Sequence, residues 1–312
     1  MTVLGFDTSN YTTSVARFDG ECGQNCSRLL DVKPGQLGLR QSDALFAHVQ
    51  RLPELFRQLM DGVQSHVFAA VGVSTRPRAV EGSYMPCFLA GKSMAETLGA
   101  ALDVPVYFFS HQQGHIAASL WSAGRMDLMD APHLAWHLSG GTTELLLVES
   151  EGLNVRATRI GGTTDISAGQ VIDRTGKLLG LQFPAGKALD ALSWESTEQD
   201  SFRIKIQGLE FSLSGLENKV QRYSEGASSA DTAAYALRSV IQAVMSCTQN
   251  ALKEHPGLPV VFSGGVASNA MLRARTADFE AIFAEPKYST DNAMGIAVLT
   301  WRQENANGTS GI

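Results

Sequence analysis

Short apolar runs alternate with amphipathic stretches over the first third of the chain. The apolar runs predict strands, and the stretches with helical periodicity predict helices. The predicted strands cover residues 3–7, 13–18, 68–74 and 106–109, and the predicted helices cover 42–60, which Pro53 interrupts, and 89–101. Strands that alternate with helices in this way indicate an α/β layer.

The same opening pattern recurs after residue 131. Strand 134–138 leads into a Ser-Gly-Gly-Thr-Thr turn and a second strand, 144–149, much as the first strand leads into a Thr-Ser-Asn-Tyr-Thr-Thr turn. Helices are predicted over 165–180, 186–194 and 231–254, after Gly265, and over 291–302. The repeat predicts a duplicated lobe and hence the actin-like ATPase (ASKHA) architecture, with two similar lobes that each offer a hydroxyl-rich turn to a shared cleft.

The lobe boundary is expected near the end of the fourth strand. We place the N-terminal lobe at residues 1–109 and the C-terminal lobe at 110–291, with the option that the final helix, 292–304, returns to the first lobe. The chain has no low-complexity linker. Short hinges are therefore expected to join the lobes.

Composition narrows the class of protein. The chain has 312 residues, of which 44% are hydrophobic, and a net charge of −6. This charge argues against binding nucleic acid over the whole surface and leaves a local basic patch open. Four scattered cysteines predict reduced thiols. No apolar run approaches the ~20 residues of a membrane span and no leader is evident, so we expect a cytoplasmic protein without a membrane partner.

Three apolar runs end in turns of glycine and hydroxyl residues. Glycine lets the main chain approach a phosphate, hydroxyls donate to its oxygens, and consecutive backbone N–H groups form an anion-binding concavity. The three turns therefore predict a nucleotide site. The candidate residues are Thr8, Ser9, Asn10 and Thr12 in the first turn, Ser139, Gly140 and Gly141 in the second, and Gly264 and Gly265 in the third.

Two histidines at a spacing of four residues suit a metal ion. His111 and His115 follow an apolar run and fall on one face of the predicted helix. Asp291, in a Ser-Thr-Asp-Asn segment, is the carboxylate that we expect to complete the site. His137 is a further candidate ligand, because it lies two residues before Ser139 and its ring points to the side of the phosphate turn.

Asp173 and the Pro-Ala-Gly turn that ends at Gly186 are candidates for nucleoside binding. A carboxylate and a tight glycine turn are what a ribose and an adenine require. Taken alone, the two features are more typical of a solvated charge and an ordinary turn.

Five segments together resemble the TsaD family of tRNA threonylcarbamoyladenosine synthases, over nearly the whole chain. In the family they correspond to a metal motif, a phosphate turn, a Phe-Ser-Phe-Ser-Gly-Leu signature, an adenosine segment and a second metal motif. In this chain the segments are His-Gln-Gln-Gly-His at 111–115, Leu-Ser-Gly-Gly at 138–141, Phe-Ser-Leu-Ser-Gly-Leu at 211–216, Ser-Gly-Gly-Val-Ala-Ser-Asn at 263–269 and Thr-Asp-Asn-Ala at 290–293.

The resemblance implies a transferase that binds a metal ion and a nucleotide. Members of the family move a threonylcarbamoyl group from its adenylate to N6 of the adenosine beside the tRNA anticodon. The implied cofactors are one iron or zinc ion and ATP, ADP or the acyl-adenylate. The implied partners are tRNA, an ATPase, a TsaB-like paralogue and a second copy of the chain.

The resemblance also assigns residues to these ligands. The implied metal ligands are His111, His115 and Asp291, and His137 stands where some members have a ligand tyrosine. The implied ribose and base contacts are Asp173, Gly186 and Asn269, with residues 137–141 on the phosphate side.

The first turn departs from the family pattern. Members usually carry two carboxylates where this chain has Tyr11 and Thr12, and a lost general base removes a factor of ~10²–10⁴ in rate. The chain also differs at Thr142, Gln170 and Ala185. These changes indicate a divergent paralogue. Two alternatives stay open: a catalytically reduced protein that binds nucleotide and serves as a partner or scaffold in tRNA modification, or a transferase with a different acceptor.

Two other enzyme classes fit the sequence less well. A zinc peptidase of the His-Glu-x-x-His type needs a glutamate as general base, and Gln112 stands at that position. A sugar or acetate kinase of the same architecture leaves the paired histidines without a role.

Overall fold

The computed structural model describes residues 1–31, 39–63 and 67–309. The strands of these ranges are β1 (Val3–Thr8), β2 (Thr12–Phe18), β3 (Gly23–Leu29), β4 (Ala70–Arg76), β5 (Val106–Ser110), β6 (His133–Leu138), β7 (Thr143–Glu151), β8 (Asn154–Thr163), β9 (Ile206–Gln207), β10 (Glu210–Phe211), β11 (Val260–Ser263) and β12 (Ala281–Phe283). The α-helices are α1 (Gln41–Met60), α2 (Phe88–Leu102), α3 (His111–Ser122), α4 (Ala168–Leu178), α5 (Gly186–Ser193), α6 (Ser214–Ser224), α7 (Ser229–Glu254), α8 (Ala270–Ala274) and α9 (Met294–Thr309).

The chain divides into two compact units. The first consists of Met1–Ala131, Glu149–Ala157 and Lys287–Ile312, and the second consists of Pro132–Val148 and Thr158–Pro286. The first unit thus extends beyond the boundary expected after residue 109, because α3 packs against α9 within it. The final helix lies in this unit as well.

The first unit is built on a five-stranded sheet in the order β3-β2-β1-β4-β5. Strand β1 is antiparallel to β2 and parallel to β4, and β4 is parallel to β5. Apolar side chains of these strands and of α1 form one core. Its largest members are Leu4, Phe6, Val15, Leu52, Leu55, Leu59, Phe68, Val71 and Val73.

The second sheet has seven strands in the order β12-β11-β6-β7-β8-β10-β9. Strand β6 is antiparallel to β7 and parallel to β11, and β11 is parallel to β12. The part β8-β7-β6-β11-β12 therefore repeats the strand order of the first sheet. This repeat confirms the duplication that the sequence pattern predicts.

Several elements differ from the expectation. Helix α1 passes through Pro53 without a break, because Pro53 lies on the exposed face, where water can satisfy the carbonyl group that loses its partner. The sequence pattern does not predict β3, β8 or α6. In β3 only Cys26 is buried, as suits an edge strand with a polar outer face. None of the helices in the described ranges combines the length and apolar character that crossing a bilayer requires.

Candidate metal centre and glycine-rich turns

Helix α3 presents the two predicted histidine ligands. Ser110 caps the helix: its hydroxyl accepts from the backbone N–H of Gln113 at 3.2 Å, and the Gln113 side chain accepts from the N–H of Ser110 at 2.9 Å. This capping box fixes the first turn, which His111 opens. His115 follows one turn later, and the centroids of the two imidazole rings are 4.3 Å apart. Both rings therefore project from the same face of the helix.

Asp291 lies just before α9 and meets the two imidazoles. Its Oδ1 atom is 3.2 Å from Nε2 of His115 and 3.6 Å from Nε2 of His111. The two Nε2 atoms are 2.9 Å apart. A close helix contact supports this convergence, since a Cβ atom on Gly295 of α9 would lie 1.8 Å from the carbonyl oxygen of Gly114 in α3. A glycine at 295 therefore lets α9 approach the helix that carries the histidines.

The three donor atoms fit a single metal ion. Bonds of ~2.1 Å, as zinc forms with nitrogen and oxygen, place two ligands of one ion ~3.0 Å apart at right angles and ~3.4 Å apart at tetrahedral angles. The separations of 2.9, 3.2 and 3.6 Å lie around this range. Two imidazoles and a carboxylate suit iron and zinc alike. Within the described ranges, His111, His115 and Asp291 form the cluster that could hold an ion.

A carboxylate that the sequence analysis does not select supports one of the rings. Asp7, at the end of β1, is fully buried, and its two oxygens lie 3.0 and 3.1 Å from Nδ1 of His111. The Ser74 hydroxyl donates to the same carboxylate. A carboxylate at Nδ1 fixes the tautomer of a ligand histidine and orients its ring. The sequence does contain a signal for this role: Asp7 stands at the end of an apolar run, where a buried carboxylate needs a partner of opposite charge or a hydrogen-bond donor.

The first predicted turn lies beside this cluster. The Ser9 hydroxyl donates to Oδ2 of Asp291 at 3.2 Å, which leaves Oδ1 facing the imidazoles. Thr8 bonds to the main chain at the start of α2, Asn10 accepts from a side chain at the start of α1, and Thr12 opens β2 as a buried residue. These bonds hold the turn, and binding of a phosphate by it stays a prediction.

The neighbours of His111 and Asp291 shift the pKa values of these two groups. Burial opposes protonation of His111, but the carboxylates of Asp7 and Asp291 outweigh it and raise the pKa of His111 to about 10. Burial alone would raise the pKa of Asp291, but hydrogen bonds from the two histidines hold it well below its usual range. When no cation is bound, a proton on His111 balances the acidic charge. A metal ion must displace that proton.

Two glycine-rich turns of the second unit follow neighbouring parallel strands. Strands β6 and β11 are paired as far as His137 and Ser263. The turns begin where the strands end, after Leu138 and after Ser263. Gly264 has a φ of 91°, and a Cβ atom there would lie 2.2 Å from the carbonyl oxygen of Leu138. Both turns therefore lie at the carboxyl ends of adjacent strands, which is where open α/β sheets bind ligands.

The second turn is open and supported from one side. The backbone N–H of Ser139 donates to the carbonyl of Thr142 at 2.8 Å, and the N–H of Thr142 donates to the Ser139 hydroxyl at 3.0 Å. Ser167, the N-cap of α4, donates to the carbonyl of Gly140 at 2.6 Å. Gly140 and Gly141 are both exposed. The turn thus lies next to the N-terminus of α4, where the helix dipole favours an anion.

The predicted ribose and base residues are connected through α5. Asp173 accepts from the N–H of Ala185 at 2.9 Å and so orders the turn before Gly186, the first residue of α5. Asn269 caps α8, and its amide donates to Asp190 of α5 at 2.8 Å. The sequence gives no signal for Asp190. These contacts give the residues structural roles, and their contacts with a nucleotide stay predictions.

His137 belongs to the second unit. The hydroxyl of Ser263 lies 3.5 Å from its Nδ1 atom. In the described part of the chain the candidate metal cluster consists of His111, His115 and Asp291. The role of His137 as a ligand therefore stays a prediction.

The fold is shared with solved structures of the actin-like ATPase class. A full-length HypF in its phosphate- and nucleotide-bound form is 14% identical, with a TM-score of 0.59 over all of this chain and 47% of its own. An activator of 2-hydroxyisocaproyl-CoA dehydratase from Clostridium difficile is 17% identical, with a TM-score of 0.57 over all of this chain and 98% of its own. The chain is thus an α/β protein of the actin-like class with a His-His-Asp cluster in its first unit.

The family follows from closer matches. A family model described as tRNA N6-adenosine threonylcarbamoyltransferase matches residues 35–298. A relative of that name from Streptococcus sanguinis is 30% identical over 97% of this chain and 93% of its own length. One from Aromatoleum aromaticum is 32% identical over 95% of this chain and 90% of its own. The chain belongs to this family of transferases, which confirms the resemblance.

Proposed function

We propose that the chain is a metal-dependent enzyme that transfers a threonylcarbamoyl group from its adenylate to N6 of an adenosine in tRNA. One observation carries the proposal: three donor atoms, from His111, His115 and Asp291, converge within 3.6 Å of one another. Three protein ligands leave coordination positions for a substrate oxygen. A bound ion would polarise the acyl carbonyl and stabilise the charge that develops on its oxygen.

The surrounding residues orient these ligands. Asp7 keeps a proton on Nδ1 of His111, so the lone pair of Nε2 is available to a cation. Ser9 holds Oδ2 of Asp291 by a hydrogen bond, so Oδ1 is the oxygen presented to the cation. The two contacts fix both rotamers before the ion arrives, which lowers the entropy cost of binding it.

The glycine-rich turns of the second unit are the proposed phosphate site for ATP, ADP or the acyl-adenylate. The position of Gly264 against Leu138 and the start of α4 against Gly140 support this assignment. The dehydratase activator of the same fold contains bound ADPNP. The proposed ribose and base contacts are Asp173, Gly186 and Asn269.

The proposed setting is the cytoplasm. The relatives are named as enzymes that act on adenosine in tRNA, which supports tRNA as the acceptor. An ATPase and a TsaB-like paralogue are the proposed protein partners, with a homodimer as the alternative assembly.

The first turn favours a second candidate function. Tyr11 and Thr12 occupy the positions of the usual carboxylates, so residues 8–13 offer no acid to deprotonate the adenosine amine. The neighbouring acid, Asp7, is occupied by His111 and Ser74. The second candidate is a paralogue that binds metal and nucleotide, without the transfer step on tRNA or with another acceptor.

A reconstituted transfer assay distinguishes the two candidates. The full chain is incubated with tRNA, ATP, labelled threonine, bicarbonate, the enzyme that forms the adenylate, and the proposed partners. Threonylcarbamoyladenosine is then measured by mass spectrometry after tRNA digestion. Product that disappears in a His115→Ala variant supports the transferase. Absence of product, together with intact binding of Zn²⁺ and ADP, rejects it in favour of the second candidate.

Complementation gives an independent measurement. A strain that lacks its own threonylcarbamoyladenosine synthase regains the modified nucleoside if the chain acts on tRNA. The control is the His115→Ala variant expressed at the same level. It should not restore the nucleoside if the metal site is needed, whereas an effect of the chain as a partner or scaffold would persist in it.

A further inference from the structure

The segment that carries Asp291 has no helical backbone of its own. Residues 289–293 lie between a short 3₁₀ turn and the start of α9. The Asn292 side chain braces this segment: its amide donates to the carbonyls of Tyr288 at 3.1 Å and Thr290 at 2.6 Å, and its oxygen accepts from the N–H of Met294 at 3.0 Å. These contacts shape the segment locally. They do not tie it to the sheet.

Two side chains of the sheet provide that tie. The N–H of Ala293 donates to the Ser14 hydroxyl on β2 at 2.7 Å and to Oδ1 of Asn25 on β3 at 3.0 Å. The Ser14 hydroxyl in turn donates to Oδ1 of Asn25 at 2.9 Å. Ser14 is fully buried, and Asn25 is half-buried. The two neighbouring strands and the distant Ala293 thus form a closed triangle of hydrogen bonds, two residues after Asp291.

Strand register gives the triangle its significance. Ser14 on β2 is paired directly with Asp7 on β1, and Asp7 holds His111. The paired residues Asp7 and Ser14 therefore support both parts of the candidate metal centre. Asp7 orients His111, and Ser14, together with Asn25, holds the segment that carries Asp291.

We propose that Ser14 and Asn25 are positioning residues that hold Asp291 at the distance a metal ion requires. The inference rests on the proposed metal centre and adds residues that the resemblance to the family does not supply. Removing the Asn25 acceptor leaves the Ala293 N–H and the Ser14 hydroxyl with one partner fewer. Asp291 then samples more positions, and the ion must restrict it on binding.

Metal affinity tests the proposal on the full chain. Asn25→Ala removes the acceptor, whereas Asn25→Asp retains an oxygen at the same place. Ser27→Ala, at an exposed position on the same strand, is the matched control. Zn²⁺ dissociation constants are measured by competition with a chelating dye, and the visible spectrum of bound Co²⁺ reports the ligand geometry. We expect Asn25→Ala to weaken Zn²⁺ binding about tenfold and to alter the Co²⁺ spectrum, while Asn25→Asp and Ser27→Ala stay near the wild type.

Hydrogen exchange at the Ala293 amide is a second measurement that requires no metal. The amide should exchange faster in Asn25→Ala than in the wild type, while amides of β4 and α2 stay unchanged, which shows that the fold is intact. Equal Zn²⁺ affinity and equal exchange in a folded Asn25→Ala variant would overturn the positioning role alone. A wild-type chain that binds neither Zn²⁺ nor Co²⁺ would overturn the proposed metal centre and, with it, this inference.

Discussion

In the first unit the candidate chemistry comes from side chains, and in the second it comes from the main chain, although the two sheets share a strand order. His111, His115 and Asp291 are partly buried and belong to segments almost 180 residues apart, as the His115 to Asp291 separation of 176 shows. Gly140 and Gly141 are exposed and local to one turn. A side-chain site therefore depends on packing between distant segments, whereas a main-chain site depends on the conformation of a short turn.

The largest expected effect is the loss of one ligand from the first unit. Asp291→Asn preserves the shape of the side chain and removes its charge. We expect Zn²⁺ affinity to fall by more than ~100-fold, since changes in merely supporting residues already cost 10–100-fold. Competition with a chelating dye measures this. Glu96→Gln, which neutralises an exposed carboxylate on α2, should leave the affinity unchanged. Equal affinities in the two variants would remove this cluster as the metal site.

A second variant tests whether Asp7, on strand β1, supports the candidate metal ligands His111, His115 and Asp291. Asp7→Asn removes the charge that faces Nδ1 of His111, and it should lower Zn²⁺ affinity by ~10–100-fold. It should also bring the pKa of His111 down, because the charge of Asp7 is the strongest of the effects that raise it. Titration of the imidazole by nuclear magnetic resonance measures the pKa. A pKa of His111 that is the same with and without Asp7 would contradict the role given to this carboxylate.

The same proton predicts a pH dependence. Without a metal ion, the pKa of His111 in the folded chain is about 10, against an ordinary 6.5. Because the folded value is the higher one, the charged ring contributes its full stabilisation below pH ~6.5. That contribution is lost as the pH rises towards 10. Zn²⁺ displaces the proton, so its affinity should increase about tenfold per pH unit over this interval. An affinity that does not vary with pH would exclude proton displacement.

In the second unit, we expect stability to depend on the backbone conformation of the glycine-rich turns. In Gly264→Ala, the new Cβ would lie 2.2 Å from the carbonyl oxygen of Leu138, at a φ of 91°. We expect a loss of ~1–3 kcal/mol in the free energy of unfolding. Gly265→Ala is the matched control, since a Cβ there meets no atom. Chemical denaturation compares the two. Similar stabilities would show that this turn does not need glycine at 264.

The sequence predicts the two kinds of site unequally. The helical spacing of His111 and His115 places both rings on one face without further information. Asp291 is distant in the chain, so helical spacing says nothing of its position. The sequence offers it as a suitable carboxylate, and the family motif then assigns it to the site. The support by Asp7 depends on a contact between Asp7 and His111, which lie 104 residues apart in the chain. The support by Asn25 depends on β3, an edge strand whose polar pattern does not predict a strand.

The glycine-rich turns show the opposite behaviour. Their residues are consecutive in the chain, so a Ser-Gly-Gly turn after an apolar run can be recognised from the sequence alone. The apolar runs before the two turns are strands β6 and β11 of the second sheet, as predicted. The pairing of β6 with β11 brings the two turns together. It is a long-range contact, so local sequence patterns cannot predict it. The division after Ala131 has the same origin, because the packing of α3 against α9 decides it.

The smallest expected change in stability is also the sharpest test of the second unit. Gly141 is exposed, and a Cβ there would meet no atom within 4 Å. Gly141→Ala should therefore change the free energy of unfolding by less than ~0.5 kcal/mol. If the turn binds a phosphate through its N–H groups, the added methyl group should nevertheless weaken ADP binding by about tenfold, the equivalent of one hydrogen bond to a charged group.

Calorimetry with ADP measures that affinity, and Gly226→Ala is the control for an exposed glycine of the same unit with open space around it. If Gly141→Ala loses ADP affinity at unchanged stability, the added methyl group must interfere with the ligand, because it meets no atom of the folded chain within 4 Å. Equal ADP affinity in Gly141→Ala, Gly226→Ala and the wild type would place the phosphates elsewhere. The contrast between a side-chain site and a main-chain site would then no longer hold.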